Sequence, residues 1–251
     1  MRRFYLPSGQ CQGATLRLTG PEAHHAQQVV RVRRGEPVVV LDGAGHEFLC
    51  VVEDCDRDQV GLTVVETHSH PPPPCQVTLL QAMPKGKILE AIIQKTTELG
   101  VFRIVPLLSE RVVARLDEQG AAHKTAKLQL VAIEAIKQCG FPWLPQIDPP
   151  LTPNQFLARH EAFELPLIAS LQSGSRSPRD YFRAFHAQRS RSPRSVCVWI
   201  GPEGDFTPAE TEAIQQHGAL PITLGRLVLR TETAAVYCLS VLNYELQSPP
   251  P

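Results

Sequence analysis

The pattern of apolar and polar residues changes character near residue 71. Before that point, short runs of alternating or β-branched residues are typical of strands, and one stretch with Pro21 in its first turn is typical of a helix. We predict three strands and one helix here, at 37–41, 46–52, 59–66 and 21–30 respectively. The turn residues at 42–45 (Asp-Gly-Ala-Gly) join the first two strands as a hairpin. This part of the chain is therefore predicted to be a compact β-barrel.

Apolar runs of strand length and helix length alternate from residue 76 onward. We predict strands at 76–81, 104–108, 165–170, 195–200 and 220–224, and helices at 87–99, 121–139, 207–217 and 232–246. The 207–217 helix begins with a capping box, in which Thr207 is followed by Glu210. The 195–200 strand is almost wholly apolar, as a strand covered on both faces should be. The alternation predicts an α/β fold with a parallel sheet.

Four consecutive prolines, at 71–74, separate these two patterns. A run of prolines favours a stiff extended segment and is incompatible with the interior of a sheet or helix. We therefore place a small domain at 1–72 and a larger domain at 75–247. The remaining tail, 248–251, is expected to be frayed.

Composition and charge add a more ambiguous signal. The chain has 251 residues, of which 43% are hydrophobic and 20% charged, so a folded core is expected. A net charge of zero argues at first against a nucleic-acid partner. The charges are segregated, however: residues 1–35 carry +5, residues 36–66 carry −7 and residues 173–194 carry +5. The arginine-rich segment at 173–194 lies between predicted strands, and we expect it to be a mobile insertion.

The cysteines and the lengths of the apolar runs indicate the cellular compartment in which the protein works. The chain has seven cysteines, an odd number without a C-x-x-C pair, which favours a reducing environment over a disulfide framework or a zinc site. No apolar segment follows Met1-Arg2-Arg3, and no apolar run is long enough to span a membrane. We expect a cytoplasmic protein that uses neither a membrane nor a metal.

Two glycine turns follow neighbouring predicted strands. Gly201-Pro202-Glu203-Gly204 comes directly after the 195–200 strand, and Gly225 comes directly after the 220–224 strand. Ligands of open α/β sheets bind at the carboxyl ends of the strands, and glycine lets the backbone approach them closely. One such turn is explained equally well by local folding needs, whereas two favour a ligand site. Neither turn matches a P-loop, a dinucleotide-binding or a nucleophile-elbow signature.

The sequence of these turns carries a family resemblance. Ile-Gly-Pro-Glu-Gly at 200–204 is paired with Leu-Gly-x-x-x-Leu-Arg-Thr-Glu-Thr-Ala at 224–234. Further matching stretches lie at 1–5, 25–35, 85–101, 109–111 and 134–140. With these motifs, nearly the whole chain resembles the RsmE-type enzymes of the SPOUT superfamily. These enzymes are S-adenosylmethionine-dependent uridine-N3 methyltransferases of small-subunit (16S) ribosomal RNA.

The resemblance implies a fold, an assembly and a substrate. The C-terminal domain would be a trefoil-knotted α/β SPOUT methyltransferase domain, and the N-terminal domain a PUA-like or OB-like RNA-binding β-barrel. The enzyme would be a homodimer whose active site uses both subunits. Its substrate would be ribosomal RNA within the assembled or assembling small subunit.

The resemblance also implies binding residues. S-adenosylmethionine would be held in the knot by Leu171, Ile200, Gly201, Pro202, Glu203, Gly204, Leu224, Gly225, Val228, Leu229, Thr231, Thr233 and Ala234. RNA phosphates would be held by Arg2, Arg3, Arg31, Arg33, Arg34, Lys85, Lys87 and Arg111.

Arg230 is the candidate catalytic residue. Methylation at uridine N3 develops charge over the nitrogen and the flanking carbonyl oxygens, and a fixed guanidinium stabilises such charge. The alternative is a structural ion pair between Arg230 and Glu232 or Glu203. For Glu232 we favour a role at the start of its helix over a role as general base.

Two positions depart from the family pattern, and two other functions stay open. Asp205 stands where the family usually has a glycine, and we expect Asp to tolerate a positive φ there. Phe141 stands where the family usually has an arginine, so a contact to RNA or to the second subunit would be missing. The alternatives are another SPOUT activity, such as ribose 2′-O methylation, and a non-catalytic RNA-binding or assembly protein.

Overall fold

The computed structural model describes residues 1–86, 88–112, 117–172 and 174–247. Its backbone contacts divide the chain into two units. The first unit comprises residues 1–72 and 133–144, and the second comprises residues 73–132 and those from 145 onward. Lys87 and the tail at 248–251 lie outside the described residues.

The first unit is built on a curled five-stranded sheet. Its strands are β1 (Arg2–Tyr5), β2 (Thr15–Thr19), β3 (Pro37–Leu41), β4 (His46–Asp56) and β5 (Gln59–Ser69). The strand order is β1-β3-β4-β5-β2, with β1 parallel to β3 and the other neighbours antiparallel. Helix α1 (Gly20–His24) continues as a π-helical turn (His25–Val30).

The sequence predicted β3, β4, β5 and the helical segment but missed β1 and β2. Both are short, and the alternation of β1 is obscured by its two arginines. The sheet is open and not closed into the predicted barrel, because β1 and β2 are edge strands that do not pair with each other. Buried side chains from alternate positions, such as Val38, Val40 and Cys50, form the core of this unit.

Residues 133–144 were assigned to the second domain from the sequence, but their contacts in the structure are with residues 1–72. The buried ammonium of Lys137 lies 2.8 Å from carboxylate oxygens of both Glu22 and Glu134. Arg3 donates from Nη1 to the carbonyls of Lys137 and Gln138. The contacts with Glu22 and Arg3 join residues more than a hundred positions apart, which local patterns do not reveal.

The second unit is an α/β fold around a six-stranded, all-parallel sheet. Its strands are β6 (Gln76–Ala82), β7 (Arg103–Leu107), β8 (Gln146–Ile147), β9 (Leu165–Ala169), β10 (Ser195–Ile200) and β11 (Leu220–Ile222). The strand order is β11-β9-β10-β6-β7-β8. The helices that begin after residue 72 are α2 (Ile88–Glu98), α3 (Glu118–Cys139), α4 (Pro153–Leu157), α5 (Pro178–Arg189), α6 (Pro208–Gln216) and α7 (Thr231–Gln247).

The predicted parallel sheet and the capping box at Thr207 and Glu210 are confirmed. Three short or atypical segments were missed, namely β8, α4 and α5. The prediction of a mobile insertion at 173–194 is wrong, because α5 occupies most of that segment. Tyr181 and Phe182 are buried and anchor this helix, although six arginines, three of them within the helix and three beside it, dominate the local sequence.

The core of the second unit surrounds β6, β7, β9 and β10 and includes aromatic packing. Trp199 meets both Phe156 and Phe206 edge-on. Burial raises the pKa of the Cys197 and Cys238 thiols to about 12, as expected for core cysteines. No helix among the described residues is long and apolar enough to cross a membrane.

Candidate functional site

The carboxyl ends of β9, β10 and β11 meet around a cavity of about 430 Å³. The loops at 170–175, 201–205 and 223–229 supply most of its lining. Of the residues predicted to bind a cofactor, the cavity is lined by Leu171, Ile200, Gly201, Pro202, Glu203, Leu224, Gly225, Val228, Leu229, Thr231 and Ala234. Gly204 and Thr233 are not among the lining residues.

The cavity also has walls that the sequence reasoning did not name. They are Ala169, Ser170, Gln172, Gly174, Ser175, Asp205, Thr223, Arg226 and Leu227. Five of them lie between Ala169 and Ser175, at the end of β9 and in the loop that follows. Apart from the family resemblance, which implied Leu171, the only sequence signal for this loop was its position after a parallel strand, because the loop has no distinctive motif.

Two glycines are required where they stand. A Cβ at Gly201 would lie 2.8 Å from Oδ1 of Asp205 and 3.1 Å from the amide nitrogen of Phe206. Gly225 has φ +114°, a conformation that other residues rarely adopt. The absent side chains therefore let the backbone line the cavity directly.

Asp205 has the backbone conformation that the sequence analysis anticipated. Its φ is 62°, and its Oδ1 accepts a hydrogen bond of 2.8 Å from the amide of Phe206. Asp is among the residues that tolerate this region of φ, and the local hydrogen bond favours it further. The turn after β10 therefore forms without glycine at this position. Phe141, the other departure, is partly buried in the first unit.

A buried hydrogen-bond chain beside the cavity joins the end of β6, the turn after β10 and the start of α7. The Thr231 hydroxyl donates to the carbonyl of Gly201 at 2.8 Å and accepts from Nε2 of Gln81 at 2.9 Å. Nε2 of Gln81 also donates to the carbonyl of Ala82, while Oε1 of Gln81 has no hydrogen-bond partner among the described residues. This chain fixes the turn after β10 against the start of α7. Gln81 was missed because its partner is 150 positions away.

The outer side of the same turn is contacted by two residues predicted to bind RNA. Arg111 donates from Nη1 to the carbonyl of Gly204 and, at 3.5 Å, to that of Asp205. The backbone amide of Lys85 donates to Oε1 of Glu203 at 3.5 Å. Both residues are exposed, and both are placed beside the cavity.

Arg230 is exposed and immediately precedes α7. Its carbonyl accepts a hydrogen bond from the amide of Ala234, which lies in the first turn of that helix. Within the part of the chain that the structure describes, it makes no salt bridge with Glu232 or Glu203, the alternative considered from the sequence. Glu232 lies in the first turn of α7, where a carboxylate is stabilised by the helix dipole.

The predicted RNA contacts in the first unit fall into two groups. Arg31, Arg33 and Arg34 are exposed around the end of the helical segment, where Arg31 has φ 57°. Arg2 pairs with Glu36 at 3.0 Å, and Arg3 is occupied by the end of α3. Lys87 cannot be placed, since it lies outside the described residues.

Comparison with known families covers both units. Residues 71–243 match the model of an RNA methyltransferase domain, and residues 18–65 match that of an RNA methyltransferase PUA domain. The chain is 32% identical over 253 residues to ribosomal RNA small subunit methyltransferase E of Bacillus subtilis, covering 98% of each chain. It is 33% identical to the Synechocystis enzyme of the same name, covering 98% of this chain and 78% of that protein.

Two similar solved structures contain a cofactor. A methyltransferase of Legionella pneumophila in complex with the cofactor SAM has 34% identity and a TM-score of 0.87, with 96% of each chain covered. Ribosomal RNA small subunit methyltransferase E of Neisseria gonorrhoeae, bound to S-adenosylmethionine, has 26% identity and a TM-score of 0.84, with 97% of each chain covered.

Proposed function

Since this chain belongs to the RNA methyltransferase family, we propose that it methylates N3 of a specific uridine in small-subunit (16S) ribosomal RNA. It is an S-adenosylmethionine-dependent ribosomal RNA methyltransferase. The observation that carries the proposal is the cavity at the carboxyl ends of β9, β10 and β11, which the family's two glycine turns line together.

The residues present fit S-adenosylmethionine. The cavity volume lies within the usual range for small-molecule sites, and its lining combines apolar side chains such as Leu171, Ile200 and Leu224 with backbone groups of glycine turns. When bound, the cofactor supplies an electrophilic methyl group. The turn residues Gly201 and Gly225 bring main-chain polar groups to the cavity wall, where they orient the ligand.

We assign two tasks to the protein: it positions the uridine base, and it stabilises the negative charge that develops on the base. Uridine N3 carries a proton and lies on the Watson–Crick edge, so the base must be unpaired or extruded, and the proton must leave as the N–C bond forms. As the proton leaves, negative charge develops on N3 and its neighbouring oxygens. The guanidinium of Arg230 stabilises this charge, since it is exposed and no described residue pairs with it in a salt bridge.

The finer architecture belongs to the same proposal. We place the three cavity loops in a trefoil knot, and we expect two copies to form a homodimer whose active site draws on both. The second unit supports the dimer because it exposes Leu227 and Val228, each 77% accessible, together with Leu171, Tyr237 and Tyr244. Contiguous exposed apolar side chains mark interaction surfaces, and Leu171, Leu227 and Val228 lie together because they line the same cavity. Sedimentation of the purified protein at twice the chain mass tests this expectation.

RNA recognition is assigned to the PUA domain together with exposed basic residues. Arg31, Arg33 and Arg34 project from the first unit and suit phosphate contacts. The assembled or assembling small subunit is the proposed substrate, which places the protein in the cytoplasm.

Methyl transfer from labelled S-adenosylmethionine to small subunits from cells that lack the enzyme tests the proposal. Digestion and mass spectrometry of the product should yield 3-methyluridine at one position. A 2′-O-methyl nucleoside would instead indicate the other SPOUT activity. Absence of transfer, together with absence of S-adenosylmethionine binding in calorimetry, would identify a non-catalytic RNA-binding protein.

A further inference from the structure

We propose that Arg111 and Glu210 are positioning residues that hold the cofactor turn at 201–206 in shape. This inference rests on the proposed function, and it assigns Arg111 to cofactor binding, although its charge and exposure alone suggest an RNA contact.

Glu210 is a buried carboxylate that uses both oxygens. Glu210 is only 7% exposed to solvent. Oε2 accepts from the amide of Thr207 at 2.9 Å, which completes the capping box of α6, and Oε1 accepts from the amide of Glu110 at 2.9 Å. A capping box needs only the first of these bonds. The second joins the start of α6 to the segment at 109–112, which follows β7.

Arg111 extends from this anchored segment to the cofactor turn. The segment is itself folded into a turn, in which the amide of Val112 donates to the carbonyl of Ser109 at 2.9 Å. The Arg111 guanidinium then donates to the carbonyl of Gly204 and lies 3.5 Å from that of Asp205. Glu210 thus fixes the backbone from which Arg111 reaches the turn.

The turn needs such support because part of its conformation is unfavourable. Asp205 has φ 62°, which costs free energy in a residue with a side chain. Glu203 and Asp205 line the cavity on one side, while the carbonyls of Gly204 and Asp205 accept from Arg111. Loss of the guanidinium leaves these carbonyls without that partner, so the turn populates conformations that do not fit the cofactor. Such a population change raises the apparent Kd in inverse proportion to the fraction of molecules that remain competent to bind.

The experiment measures S-adenosylmethionine affinity by calorimetry in the absence of RNA. We expect the Kd to rise about tenfold in Arg111→Ala and in Glu210→Gln, where an amide nitrogen, which only donates, replaces one of the two accepting oxygens. The Arg111→Ala/Glu210→Gln double variant should be little worse than either, because the two residues act through one turn. The controls are Glu212→Gln, an exposed carboxylate on the same helix, and Arg57→Ala, an exposed arginine of the first unit.

Two further readouts separate positioning from RNA contact and from general instability. Amide exchange without ligand should accelerate at 205–207 in both single variants while β6 and β10 remain protected. At saturating S-adenosylmethionine the Arg111→Ala enzyme should recover its kcat, so that only the cofactor KM changes. Arg111 is on the surface, so this variant remains informative if Glu210→Gln lowers the melting temperature.

The inference is overturned if Arg111→Ala binds S-adenosylmethionine as tightly as the wild type and loses affinity only for RNA. It is also overturned if exchange at 205–207 does not change. Failure of the wild-type protein to bind S-adenosylmethionine would refute the proposed function itself, an outcome that the wild-type titration identifies before any variant is compared.

Discussion

Arg230 follows the third cavity loop, and its carbonyl begins the hydrogen bonding of α7. Arg230→Ala should lower the single-turnover rate of methyl transfer about 10²- to 10³-fold, the usual effect of removing one donor that stabilises transition-state charge. The Kd for S-adenosylmethionine should stay within twofold, because the side chain is not part of the cavity lining. Arg230→Lys, which keeps the charge but not the planar donor geometry, should be intermediate. Equal losses of rate and cofactor affinity would instead indicate a structural role.

A substitution at Gly201 tests whether the backbone of the turn after β10 shapes the cofactor site. Gly201→Ala places a methyl group 2.8 Å from Oδ1 of Asp205, so the turn must shift. Overpacking of this kind costs about 1–3 kcal/mol, and we expect the cost to appear as weaker S-adenosylmethionine binding in calorimetry. Gly9→Ala is the matched control, since a Cβ there would meet nothing within 4 Å. Unchanged binding by Gly201→Ala would mean that the turn does not shape the cofactor site.

What the sequence could predict about single residues depends on how local their interactions are. The glycine turns were found because motif, strand end and helix start lie within a few positions of one another. Gln81 and Glu210 were not assigned to the site, because the partners that give them a role, Thr231 and the amide of Glu110, are 150 and 100 positions away. Asp205 was anticipated because positive φ is a property of the residue itself.

Arg3, in β1, is an arginine whose contacts with the carboxyl-terminal end of α3 differ from the RNA-binding role predicted for it. Arg3 donates to the carbonyls of Lys137 and Gln138, and a Cβ at Gly140 would lie 2.8 Å from the guanidinium. Arg3→Ala should therefore lower the free energy of unfolding of the first unit by about 1–2 kcal/mol. Amide exchange in β1 and β3 measures this change.

Arg2→Ala is the matched control for Arg3, because among the described residues the Arg2 side chain makes only an exposed ion pair with Glu36. Such pairs contribute about 0–1 kcal/mol, so the stability of this variant should hardly change. If Arg3→Ala keeps full stability but binds RNA several-fold more weakly, the RNA contact predicted from the sequence is the better assignment.

Helices and strands were predictable where one face or both faces are apolar over several residues. Strand β10 was located to the residue because five of its six positions are buried. Helix α5 was lost because its buried residues, Tyr181 and Phe182, are few among arginines, while its register is set by packing against α7. Strand β8 has two residues, too short for any period to appear. The missed elements therefore depend on tertiary contacts more than on local pattern.

The whole chain has a net charge of zero but contains strongly charged segments. The structure shows that some of these charges are already paired within the protein. Arg2 and Arg3 are engaged within the first unit, Arg191 pairs with Glu164, and Arg179 pairs with Glu245. Several acids and bases of opposite segments therefore neutralise one another in the folded state. Counting charges along the sequence overstates the number of free cations.

The charges left free in the first unit predict a modest salt dependence of RNA binding. Arg31, Arg33 and Arg34 are exposed, and three phosphate contacts give a slope of about −2 to −3 for log K against log salt concentration. Replacing any one of them with alanine should reduce the slope by about one and weaken binding similarly for all RNA sequences. Filter binding or anisotropy with small-subunit RNA fragments between low and high salt measures both effects. A wild-type slope several times steeper would mean that other basic residues, such as Lys85 or those around α5, carry most of the phosphate contacts.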